Sequence, residues 1–187
     1  MTNKRLWNIP NILTLSRVLL IPVMVFLAYL PEFLWQHWLT ATVFLLAAIT
    51  DWFDGYLARI LDQTSAFGRF LDPVADKLMV AAALVILVQS HHTIWMVIPA
   101  IVIISREIAI SALREWMAEL GKRANVAVSH IGKWKTTAQM TAITVLLVQH
   151  PMLNYLGYAL LYVAVVLTIW SMLIYLKAAW PDLSQSD

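Results

Sequence analysis

Leu39-Thr40-Ala41-Thr42-Val43-Phe44-Leu45-Leu46-Ala47-Ala48-Ile49 passes, after Thr50, straight into Asp51-Trp52-Phe53-Asp54-Gly55-Tyr56-Leu57-Ala58-Arg59. Shortly downstream, Gly68-Arg69-Phe70-Leu71-Asp72-Pro73-Val74-Ala75-Asp76 leads back into an apolar run that continues to Val88. Two apolar segments thus meet at their acidic ends. What they are is decided by the rest of the chain: of 187 residues, 61% are hydrophobic and 13% charged. An ordinary soluble domain is about 45–50% apolar and about 25% charged. The composition is too apolar for a soluble fold or for disorder, and the reading is an all-α integral membrane protein.

Working outward, six apolar runs are separated by turn chemistry: about Ile12 to Leu30, Trp35 to Ile49, Phe70 to Val88, Ile94 to Met117, Met140 to Val148, and Leu153 to Leu176. The fifth is preceded by a polar but helical stretch from Val126. At about 20 residues per membrane helix, the length holds six spans and no separate soluble domain, so residues 1–187 form one transmembrane domain. Lys4 and Arg5 precede a run too long for a signal-peptide core and without a small-residue cleavage site, so it reads as a retained first span. Residues 1–10 are expected to form a short amphipathic segment on the membrane surface. The absence of cysteine excludes disulfides, thiolate metal sites and thiol nucleophiles.

Orientation follows from the cations. The turns Pro31 to Gln36, Gln89 to Thr93, and Gln149 to Asn154 contain no lysine or arginine; all 13 basic residues belong to the other side. By the positive-inside rule both termini face the cytoplasm.

Polar residues then converge at one depth on that cytoplasmic side: the aspartates, Arg17, Arg106, Glu107, Arg114, Lys133 and Lys135. Charges at membrane depth cost several kcal/mol unless paired or hydrated, and their convergence implies a polar cavity open to the cytoplasm. At about 100° per residue, Asp51, Asp54 and Ala58 share a helix face, with Gly55 beside them. Asp72 and Asp76 share a face of the next helix. Four adjacent carboxylates repel unless cations hold them. Hard oxygen ligands without histidine or cysteine suit Mg²⁺ or Mn²⁺, as a pair of ions. Gly55, Ala58 and Gly68 leave room for a bulky planar group or for close helix packing. Arg59 is placed to meet a phosphate or to anchor the helix end.

Asp51 to Asp76 reads D-x-x-D-G-x-x-A-R, eight residues, then G-x-x-x-D-x-x-x-D. This resembles the signature of the CDP-alcohol phosphatidyltransferase family at every fixed position and with its spacing, and the six-span pattern extends the resemblance over essentially the whole chain. Asn8-Ile9-Pro10-Asn11-Ile12-Leu13-Thr14 with Arg17, Arg106-Glu107, Arg114, and Gly132-Lys133-Trp134-Lys135-Thr136 are similar to the bacterial branch that uses sn-glycerol 3-phosphate as acceptor. The resemblance implies transfer of a phosphatidyl group from CDP-diacylglycerol to that acceptor, giving phosphatidylglycerophosphate and CMP in phospholipid biosynthesis. It also implies the bacterial inner membrane, a lipid-embedded homodimer and no nucleic-acid partner.

The family roles carry over residue by residue. Asp51, Asp54, Asp72 and Asp76 would hold two metal ions, and Asp76 would also be the general base. Asp54, Gly55, Ala58, Arg59 and Gly68 would cradle CDP-diacylglycerol, with Asn11, Thr14 and Arg17 beside them. The acceptor phosphate needs cations, for which Arg106, Arg114, Lys133 and Lys135 are the candidates, with an Arg106–Glu107 pair as the rival use. Lys133 and Lys135 point in different directions on a helix. Lys133 is preferred because Ser129 and Thr136 share its face.

Rival readings keep the chemistry and change the acceptor to serine, inositol, inositol phosphate or phosphatidylglycerol. Intramembrane prenyltransferases also hold magnesium diphosphate on aspartate-rich helices, with a different motif spacing. A divalent-cation transporter would need polar residues continuing to the outer face, where this chain is almost wholly apolar.

Overall fold

A computed structural model describes residues 9–31, 33–60, 66–121 and 130–183; within these, the side chains of residues 9, 10, 52, 54–60, 66, 69, 130–133 and 181–183 lie outside the description. The described residues form six α-helices: α1 Ile9–Ala28, α2 Gln36–Ile60, α3 Ala66–His91, α4 Ile94–Glu119, α5 His130–Leu147 and α6 Pro151–Leu183. No strand occurs among them. Each expected apolar run falls on a helix, with Tyr29, Leu30, Trp35 and Val148 just outside the helix ends. The helices outrun the apolar residues where polar sequence continues the same geometry: α2 carries on through the acidic stretch to Ile60, and α6 to Leu183. The expected amphipathic segment lies largely outside the described residues.

Short connections dictate antiparallel pairs. Between α3 and α4, His92 takes a left-handed φ of 46°, and Thr93 caps α4 by accepting from Trp95 N–H. Gln149 does the same between α5 and α6, at φ 55°. At the α1–α2 turn, buried Gln36 places its Nε2 2.9–3.2 Å from the carbonyl oxygens of Leu27, Ala28 and Leu30. The last carbonyls of a helix have no partner further along it, and here one side-chain amide reaches three at this turn, Leu27 O also accepting from Leu30 N–H at 3.4 Å. Between α5 and α6, Gly157 allows close approach: a Cβ there would sit 2.6 Å from Leu146 Cγ.

Met24, Phe44, Leu84, Leu87, Met96, Ile103, Ile143, Leu146 and Leu161 interlock as the apolar core. Outside it the usual pattern inverts. Leu19, Phe26, Trp95, Val166, Trp170 and Trp180 are exposed, whereas Arg17, Lys135, Gln139, Thr168 and Ser171 are buried. Apolar residues outside and polar residues inside suit a lipid solvent. Three helical segments, Asn11–Ala28, Ile94–Glu119 and Pro151–Trp180, are long and apolar enough to cross a membrane. The pattern is that of a multi-pass membrane protein. Because α1 to α6 alternate in direction, the starts of α1, α3 and α5 and the ends of α2, α4 and α6 gather at one end.

Candidate active site

At that end the first helix supplies the cation for the second and third. Asn11, Thr14 and Arg17 are spaced i, i+3, i+6 on α1, and all three are buried. Arg17, only 1% exposed, pairs through Nη1 with Asp51 Oδ1 on α2. Its Nη2 lies 3.9 Å from Asp72 Oδ1 on α3. The Thr14 hydroxyl donates to the same Asp72 oxygen. One guanidinium thus neutralises part of a carboxylate pair contributed by two helices, and that partial neutralisation lets them approach. Asp76, one turn beyond Asp72, joins Arg17, Asp51, Phe44, Ala47 and Met140 around a single small gap.

On its other side Asp76 lines a cavity of about 30 Å³ with Lys77, Val80, Glu107, Lys135, Thr136, Gln139 and Met140. Here α4 and α5 meet α3. Lys135 Nζ donates to Glu107 Oε1 at 2.6 Å, and Arg106 Nη1 donates to the same oxygen at 2.9 Å. Arg106 Nη2 donates to Ser171 Oγ on α6 at 3.2 Å. Lys77 donates to Ser111. Two cations around one carboxylate leave a local excess of one positive charge beside Asp76, which is what an anionic substrate group requires. A wider, open cavity of about 330 Å³ lies between α2 and α5, with Asp51 at its edge among Ala48, Ile49, Met140 and three threonines, Thr136, Thr137 and Thr141.

The described residues therefore bring together Thr14, Arg17, Asp51, Asp72, Asp76, Arg106 and Lys135. Lys135, only 4% exposed, lines this cavity; the sequence preference for Lys133 falls on a side chain that lies outside the description. Helix α5 packs against both α2 and α3, so the face that looks into the bundle is set by tertiary contact rather than by neighbours on the helix. Arg114 is exposed and stacks 5.5 Å above the ring of Tyr175 on α6. Gly68 is buried on α3. The side chains of Asp54, Gly55, Ala58 and Arg59 are outside the description, although all four belong to α2. Reading the sequence did not single out Gln139, Lys77, Ser111 or Ser171. The available signal was Gln139 at i+4 from Lys135, which puts both on one helix face.

The donor chemistry fits a hard divalent cation. Asp51, Asp72 and Asp76 offer only oxygen, and among the described residues that line the two gaps at Asp76 there is no cysteine or histidine. Among the described residues no three such side chains already stand close enough to hold an ion.

The model of the CDP-alcohol phosphatidyltransferase family matches residues 7–170. A Salmonella choleraesuis protein named CDP-diacylglycerol–glycerol-3-phosphate 3-phosphatidyltransferase is 58% identical over 178 residues, covering 95% of this chain and 97% of its own. Proteins of the same name from Escherichia coli K12 and Shigella flexneri are 57% identical over the same shares.

Proposed function

Because this chain belongs to the CDP-alcohol phosphatidyltransferase family, we propose that it transfers the phosphatidyl group of CDP-diacylglycerol to sn-glycerol 3-phosphate and releases CMP. The observation that carries the reading is the junction at Asp76. On one side stand Arg17, Asp51 and Asp72; on the other a buried lysine and arginine share a single glutamate. A carboxylate that can take a proton thus sits between a site for a diphosphate and a site for a phosphomonoester.

Arg17 and Thr14 set the positions of Asp51 and Asp72. Asp76 receives the proton of the acceptor hydroxyl as its oxygen bonds to the β-phosphorus and the bond to CMP breaks. Lys135 and Arg106, held by Glu107, supply positive charge for the acceptor phosphate, with Arg114 and Lys133 as further cations on that side. Asp51, Asp54, Asp72 and Asp76 would hold Mg²⁺ or Mn²⁺, as two ions, which supply electrostatic stabilisation of the diphosphate and the leaving CMP. A carboxylate is a weak base for an alcohol, so positioning carries much of the acceleration. Asn11, Gly55, Ala58, Arg59 and Gly68 complete the donor site by the family pattern. The apolar wall of Ala48, Ile49 and Met140 beside Asp51 suits a donor that is lipid at one end and nucleotide at the other.

In this reading all six helices span the inner membrane, both termini and the polar end of the bundle face the cytoplasm, and the enzyme works as a homodimer. The absence of Lys and Arg from the three opposite turns supports the orientation. The test is CMP release by detergent-purified protein with CDP-diacylglycerol and Mg²⁺, offering glycerol 3-phosphate, serine, inositol or inositol phosphate in turn. Release that depends on glycerol 3-phosphate alone is the expected result. Release with another acceptor in its place would overturn the acceptor assignment.

A further inference from the structure

Gln139 takes no part in the chemistry above, yet it is 4% exposed, and its Oε1 is buried without a hydrogen-bond partner. An unsatisfied amide oxygen in an interior is costly enough that native structures rarely leave one without a reason. It lines the cavity of about 30 Å³ shared with Asp76, Glu107 and Lys135. That volume admits a hydroxyl group and its carbon.

The acceptor has two hydroxyls. The less hindered primary one reacts, so the secondary one is carried into a water-poor site and needs a partner there. A phosphate drawn by Lys135 and a primary hydroxyl at Asp76 would straddle this cavity and leave the carbon between them beside it. Lys135 and Gln139 occupy successive turns of α5 on one face, so a ligand held by the lysine passes the amide. We infer that Gln139 is a specificity-determining residue whose Oε1 accepts a hydrogen bond from the secondary hydroxyl of glycerol 3-phosphate. This inference rests on the function proposed above. It explains discrimination by a neutral group, which the cations cannot provide: they bind any phosphomonoester, whereas a site built around a substrate hydroxyl rejects the analogue that lacks it.

The test compares sn-glycerol 3-phosphate with 1,3-propanediol monophosphate, which keeps the phosphate and a primary hydroxyl and lacks the secondary one. Wild-type protein is expected to prefer glycerol 3-phosphate by about 10- to 100-fold in kcat/KM, the scale of one buried hydrogen bond. Gln139→Met, similar in length and without an amide, is expected to erase most of that preference while the KM for CDP-diacylglycerol stays within about twofold. Equal loss on both acceptors would assign Gln139 a packing role and overturn the inference. So would equal kcat/KM for the two acceptors in the wild type, a result that needs no variant to fold. Wild-type protein inactive with either phosphate acceptor but active with serine would instead overturn the proposed function, and the inference with it.

Discussion

Glu107 on α4 accepts from the Lys135 ammonium on α5 across 2.6 Å, and this contact ties together helices that the sequence joins only through a polar connection. The same carboxylate oxygen takes the Arg106 guanidinium, so one anion holds two buried cations. Neither cation could remain there alone, because desolvating an unpaired charge costs several kcal/mol. The rival use of Arg106, pairing with Glu107, is therefore real, and it coexists with an acceptor role: Glu107 fixes the cations in place and leaves one positive charge uncompensated.

Glu107→Gln tests that arrangement. Removing the anion leaves Lys135 and Arg106, with side chains 6% and 9% exposed, without the carboxylate that both donate to. Breaking a buried pair from one side costs about 3–5 kcal/mol, so the thermal midpoint of the detergent-solubilised protein should drop sharply. An unchanged midpoint would show that the triad does not stabilise the bundle.

Arg17→Met should be as damaging for the opposite reason. It leaves Asp51 and Asp72 facing each other without the guanidinium that now reaches both. Activity and thermal midpoint should both fall, and Arg17→Lys should recover part of each, because a point charge cannot bridge two carboxylates as a planar fork does. Full activity in Arg17→Met would remove Arg17 from the site.

Asp76→Asn changes no volume, and its effect should be on chemistry alone. Loss of a general base lowers turnover by about 10² to 10⁴, with circular dichroism and melting unchanged. Wild-type turnover would sink the base assignment.

Exhaustive chelation should reduce CMP release to background, and readdition of Mg²⁺ or Mn²⁺ should restore it, since the carboxylates at this site are hard oxygen donors. Activity that survives chelation would mean that the aspartates work through Arg17 and protonation instead.

Arg114→Ala should raise the KM for glycerol 3-phosphate more than that for CDP-diacylglycerol. The guanidinium now rests on Tyr175 at 5.5 Å, a contact worth about 0.5–1 kcal/mol at an exposed site, so it can be drawn off by a phosphate. An unchanged acceptor KM would confine Arg114 to packing.

Much of this protein was legible in its residues. Apolar runs and their interruptions locate helices because each run must satisfy its own backbone in a solvent without water. The spacing of Asp72 and Asp76 puts them on one face because helix geometry is periodic. That Arg17 belongs with the aspartates followed only from depth and resemblance, whereas its contact with Asp51 and Asp72 depends on how α1 packs between α2 and α3. No local pattern encodes that rotation.

The placement of Lys135 shows the division most sharply. Alone, the sequence determined that α5 begins with two lysines pointing apart and that the chain is a set of apolar helices with charge gathered at one end. That Lys135 enters the bundle was decided only when α5 packed against α2 and α3, which buried it beside Glu107 and put Gln139 in the same cavity. Periodicity sets angles within one helix, but the rotation of each helix against its neighbours comes from the packing and pairing of side chains distant in sequence, and that is a property of the whole fold.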